Sequence, residues 1–147
     1  FSANRWEKNT ELRRRLQDGE TIVLDRYSYS GAAYTAAKGV PGMGVEWCMS
    51  PERGLPQPDA VIYLNLTPEQ AMARHPEGIS KERYEDTGFL QRVHDAYLLL
   101  KPLVVSGGAQ WIDLNAVGEK NSIHNQILSL SKEIISKVEN LMISSIH

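Results

Sequence analysis

Residues 22–34 read IVLDRYSYSGAAY, and the class of fold turns on how the first four letters are taken. Three apolar residues, two of them β-branched, run into Asp25 and Arg26, then two aromatic–Ser steps, then Gly31. A run this short falls far below a membrane span, so TIVLD, residues 21–25, reads as a buried strand. A buried strand that closes on two opposite charges holds them at its carboxyl end, where open α/β sheets keep their ligands.

Outward from this stretch, helical and strand patterns alternate. Residues 1–20 read as a helix ending near Gly19, and the alanines of GAAYTAAKG, residues 31–39, suit a short helix. Four prolines and four glycines lie between Gly39 and Asp59, so that stretch reads as loop with a short helical piece around Val45–Met49. AVIYLNL, residues 60–66, is a second buried strand. Thr67, Pro68 and Gln70 then supply an N-cap, a first-position proline and a capping-box partner for a helix. HPEGISK, residues 75–81, is polar and broken by Pro and Gly, the composition of a loop. Phe89, Val93, Tyr97 and Leu100 fall on one helical stripe. QWIDLN, residues 110–115, is a third strand, and Ile123, Ile127, Leu130, Ile134, Val138 and Leu141 mark a closing helix. The order α-β-α-β-α-α-β-α implies an α/β fold with a parallel sheet covered on both faces.

Composition sets outer bounds. The chain has 147 residues, one domain's worth, with 41% hydrophobic and 23% charged residues and a net charge of −2. That balance argues against nucleic acid held by charge. No apolar run approaches the about 18 residues of a spanning helix, so no membrane partner is expected. Cys48 is the single cysteine, which rules out an internal disulfide and points to an intracellular, cytoplasmic setting. His75, His94, His124 and His147 show no ligand spacing with it, so zinc is not expected. The chain opens at Phe1, without methionine and inside a helical pattern, and is expected to be a piece of a longer protein.

Several residues could carry chemistry. Asp25 can hold Mg²⁺, directly or through water, and Arg26 can grip a phosphate with two hydrogen bonds; the plain alternative is a local ion pair closing the strand. Phe1 and Arg5 share a helix face, where a ring and a donor fork make half of a base pocket. The alternative there is a core ring beside a solvated charge, and Trp6 reads as core. Ser30, Gly31 and Tyr34 lie close enough to line the same pocket, or else form a helix cap with a buried tyrosine. Arg74, Lys81 and Arg83 bracket the broken loop, as cations on a phosphoryl-transfer lid or as a solvated helix start.

Four segments together resemble the thymidylate kinase family, of eukaryotic type. FSANRWE (1–7) is similar to its base-recognition helix, and VLDRYSYSGAAY (23–34) to its Asp-Arg-Tyr-x-x-Ser-Gly signature. PERGLPQPD (51–59) resembles the loop before its next strand, and ERYE (82–85) the close of its lid. The resemblance is strong over residues 1–100 and only a pattern beyond. It implies a three-layer parallel sheet of the P-loop nucleoside monophosphate kinase type, with the first two strands absent from this chain. It also implies one partial domain over 1–147 with a lid near 74–86.

The roles implied are these. Phe1 would stack on thymine, Arg5 bond its carbonyl edge, and Arg26 hold the dTMP phosphate. Asp25 would act near Mg²⁺, while Ser30, Gly31 and Tyr34 complete the nucleotide pocket. Tyr84 would close over the nucleoside, and Arg74 would reach ATP, with Lys81 or Arg83 able to share that task. The implied partners are dTMP and ATP, in a homodimer, with transfer of the γ-phosphate to dTMP giving dTDP. A deoxynucleoside kinase is the nearest rival, but Asp-Arg-Tyr rather than Glu-Arg-Ser argues against it. G-x-x-x-x-G-K-[ST], which cradles ATP phosphates, is nowhere in the 147 residues. The chain alone is therefore expected to be inactive, a nucleotide-binding fragment or interaction module. In the family that loop's strand lies between the strands represented here by 21–25 and 60–66, so the missing segment is expected to lie outside the 147 residues, the alternative being that the two strands pair directly.

Overall fold

The computed structural model describes residues 1–73, 87–138 and 143–147. Its helices are α1 (Ser2–Gln17), α2 (Ser28–Ala36), α3 (Val45–Met49), α4 (Pro68–Ala73), α5 (Thr87–Ser106) and α6 (Lys120–Val138). A single 3₁₀ turn, Ser50–Glu52, follows α3. Strands β1 (Ala60–Asn65) and β2 (Gln110–Asn115) pair in parallel, with Ala60 opposite Gln110 and Asn65 opposite Asn115.

Side chains alternate across a strand, so the two strands present two apolar faces. Val61 and Trp111 meet a core built from α2, α3 and α5, with Ala33, Met49, Leu55, Leu100 and Val104 among its buried members. Ile62, Leu66, Leu114 and Ala116 meet Ile123, Ile127 and Leu130 of α6. Helices therefore cover both faces of a parallel sheet, the α/β layering that the element order implies. The start of α4 forms as its sequence dictates. The Gln70 N–H donates to Thr67 Oγ1 at 3.2 Å, and the Thr67 N–H donates to Gln70 Oε1 at 2.9 Å.

Three expectations need correction. Residues 21–25 form no strand; Val23 is 87% exposed and Leu24 46%. β-branched composition makes a segment willing to extend, but a strand needs a ladder partner, and β2 is the only strand paired with β1 among the described residues. Direct pairing of 21–25 with 60–66 is thus not found. Helix α2 begins at Ser28 rather than Gly31 and ends before Gly39, whose φ of +69° closes it. Trp6 is not core: 42% exposed, it lies over the 51–54 loop and donates to the Pro51 carbonyl at 2.8 Å.

Helix α1 buries no residue and docks by polar contacts instead. Arg13 donates to the Gly54 carbonyl (2.7 Å) and to Ser145 Oγ (2.9 Å). The C-terminal residues add a short clip, with Ile146 N–H donating to the Leu55 carbonyl and Gly54 N–H to that of Ile146, each at 2.9 Å. Leu141 lies outside the described residues.

Candidate active site

The residues singled out around Asp25 gather along α2 and the turn that leads into it. Arg26 takes a left-handed backbone, φ +63°, which turns the chain from 21–25 into the helix. It is the single non-glycine residue there among the described residues, and an L side chain in that region is strained. Such strain gathers at functional sites. The Arg26 guanidinium lies 5.3 Å over the Tyr34 ring, and that ring's centroid is 6.1 Å from that of Phe89 of α5 in a T-shaped pair. Ser30 Oγ is 2.8 Å from the Tyr97 hydroxyl.

Arg5 reaches the same place from α1. Its guanidinium packs on Gly31 so closely that a Cβ there would stand 3.0 Å from Nη2. A side chain at 31 would therefore press the Arg5 fork aside by a few tenths of an ångström, and no positive φ calls for glycine there. Arg5 is held by a fork to Glu52, with Nε donating to Oε2 at 2.7 Å and Nη2 to Oε1 at 2.5 Å. Glu52 is only 2% exposed, so the pair is a fixed strut rather than a solvated contact. Arg5, Arg26, Ser30, Gly31 and Tyr34 therefore come together.

Asp25 is exposed and makes no hydrogen bond or ion pair among the described residues, so the local ion pair with Arg26 is not formed. Phe1 is fully exposed and touches no other ring among the described residues; it is not core, and it is not drawn into the cluster. Arg74, Lys81, Arg83 and Tyr84 lie outside the described residues.

A second feature escaped the sequence reading. A polar cleft of about 300 Å³ opens at the carboxyl ends of both strands, lined by Asn65, Thr67, Gln70, Asp113 and Asn115. The signal was present: both strands end in Leu-Asn, and the two asparagines are register partners. The Asp113 carboxyl accepts from Lys101 at 2.5 Å and from the Trp111 indole at 3.0 Å; the Lys101 hydrogen bond holds it below the usual range. Tyr63, the register partner of Asp113, packs its ring against Tyr97 (4.9 Å) and Trp111 (5.5 Å). Burial pushes the Tyr63 phenol up to about 12.

Two guanidiniums, a hydroxyl and an aromatic face suit a ligand with an anionic group and a planar ring. Among the described residues no three acidic, His or Cys side chains cluster to cage a metal. A lone exposed carboxylate such as Asp25 instead suits Mg²⁺ that arrives with phosphates and keeps most of its ligands from them and from water.

Comparison with known proteins bears on this geometry. A family profile described as "Thymidylate kinase" matches residues 1–127. A thymidylate kinase of Danio rerio is 40% identical over 139 residues, covering 95% of this chain and 62% of the relative. One from Arabidopsis thaliana is 42% identical over 127 residues, 86% of this chain and 44% of the relative. The human thymidylate kinase is 36% identical over 135 residues, 92% of this chain and 60% of the relative. The chain thus spans 44–62% of the length of these relatives. A solved thymidylate kinase from Candida albicans superposes with a TM-score of 0.72 at 29% identity, over 100% of this chain and 70% of that one.

Proposed function

Because this chain belongs to the thymidylate kinase family, we propose that the protein carrying these residues transfers the γ-phosphate of ATP to dTMP, giving dTDP. The observation that supports it most is the convergence on one short helix of Arg5, Arg26, Ser30, Gly31 and Tyr34. A guanidinium aimed at the acceptor's phosphate is useful only to an enzyme whose acceptor carries one.

In this reading Arg26 holds the dTMP phosphate and Arg5, braced by Glu52, meets the carbonyl edge of thymine. Phe1 swings in to stack on the base, and Tyr34 flanks the sugar. Mg²⁺, when bound with the nucleotides, neutralises phosphate charge during transfer, and Asp25 is the residue that would hold it. Arg74, Lys81 and Arg83 serve ATP from the lid, and Tyr84 closes over the nucleoside. The residues 1–147 act as a single partial domain that supplies the dTMP side. They carry no G-x-x-x-x-G-K-[ST] loop, so the chain by itself binds dTMP and transfers phosphate negligibly. Two copies associate, a reading favoured by Leu98, Leu99 and Leu103 exposed along α5. No described helix is long and apolar enough to cross a membrane. With a lone cysteine, the cytoplasm is the compartment we assign.

The test is ADP release with ATP, Mg²⁺ and either dTMP or thymidine as acceptor, run on this chain and on a form extended by a phosphate loop. Turnover on dTMP by the extended form alone is expected. Thymidine phosphorylated as readily as dTMP, or no turnover on dTMP by the extended form, would overturn the reading.

A further inference from the structure

We propose that Tyr97 is a positioning residue, which fixes the Ser30 hydroxyl so that its hydrogen faces the bound nucleotide. This rests on the dTMP reading above.

The two oxygens are 2.8 Å apart, and geometry leaves either able to donate. A serine hydroxyl has one hydrogen and two acceptor sites. If Tyr97 donates, the serine hydrogen is released to an oxygen of the ligand, either a phosphate oxygen or a sugar oxygen. Without that partner, Ser30 sits where serine readily turns its hydrogen back onto the carbonyl three or four residues earlier. Burial raises the Tyr97 phenol above its ordinary value, so it keeps its hydrogen through the neutral range.

Tyr97 is also braced from behind by its neighbours. Its ring packs at 4.9 Å on Tyr63 of β1, and the Tyr63 hydroxyl lies 3.2 Å from Nδ1 of His94, three residues before Tyr97 on α5. The hydroxyl is therefore delivered to Ser30 by a braced ring. Ser30 and Tyr34, four apart on α2, share the face on which Arg26 lies. A phenylalanine would fill the same space among the rings, which separates the hydroxyl's role from packing.

The test is a double-mutant cycle of Tyr97→Phe and Ser30→Ala, reading dTMP affinity by calorimetry, KM and kcat in the extended form, and the thermal midpoint. Each single variant should weaken dTMP binding about five- to tenfold with kcat little changed. The double variant should bind no more weakly than either single, because both remove one interaction. The midpoint of Tyr97→Phe should stay at the wild-type value. Unchanged dTMP affinity in Tyr97→Phe, or losses that simply add in the double variant, would overturn the proposal while leaving the functional reading intact. A wild type that fails to bind dTMP would overturn both.

Discussion

Arg26 stands in a backbone conformation that glycine adopts at no steric cost. Its guanidinium is what the position retains in exchange. Arg26→Gly should therefore leave the thermal midpoint unchanged or raised while lowering transfer by the extended form about a hundredfold, the order seen when one charge-stabilising donor is removed. A lowered midpoint, or turnover kept at wild-type level, would contradict this. Ser28, two residues on, is fully buried and its hydroxyl finds no partner among the described residues. Ser28→Ala should stabilise the fold by about 1 kcal/mol in urea unfolding; a loss instead would mean the hydroxyl is paired. What could be read from the sequence at this scale is what lies close together along it, Asp25 to Tyr34. Glu52 and Tyr97 could not be read that way. Their contacts reach across 47 and 67 residues to Arg5 and Ser30, and no local pattern records them.

Among the elements, those defined by their own sequence formed where expected: β1, β2 and the capped start of α4. Residues 21–25 did not, because composition supplies a strand's side chains but not its hydrogen-bonding neighbour. Helix α1 shows the opposite limit. It has no buried residue, so no apolar stripe announces where it docks, and the Arg5–Glu52 strut carries that information. Breaking a buried pair leaves an uncompensated charge, so Glu52→Ala should cost about 3 kcal/mol or more. The exposed Lys8–Glu11 pair on the same helix is solvent-screened and should contribute far less. Denaturant unfolding of Glu52→Ala and Lys8→Ala compares them directly; equal effects would mean that Glu52 does not anchor α1.

At the scale of the molecule, a parallel sheet, two-stranded among the described residues, joins α5 on one face to α6 on the other. Two of the molecule's tyrosines, Tyr29 of α2 and Tyr63 of β1, give the fold an alkaline limit. Burial pushes the phenols of Tyr29 and Tyr63 up to about 12, above their ordinary value near 10. The unfolded chain releases these protons first, so their contribution is whole below pH 10 and is lost as pH rises from 10 through 12. The urea midpoint should fall across that window, in step with tyrosinate absorbance; a flat midpoint would contradict the burial of both rings.

A kinase with this site recognises its acceptor through Arg26 facing the nucleotide's phosphate. Calorimetric titration of wild type and Arg26→Gly with dTMP and with thymidine tests this most directly. Wild type should prefer dTMP by at least about tenfold, and the preference should largely vanish in Arg26→Gly. Equal affinity of the wild type for dTMP and thymidine, or a preference untouched by the substitution, would contradict it.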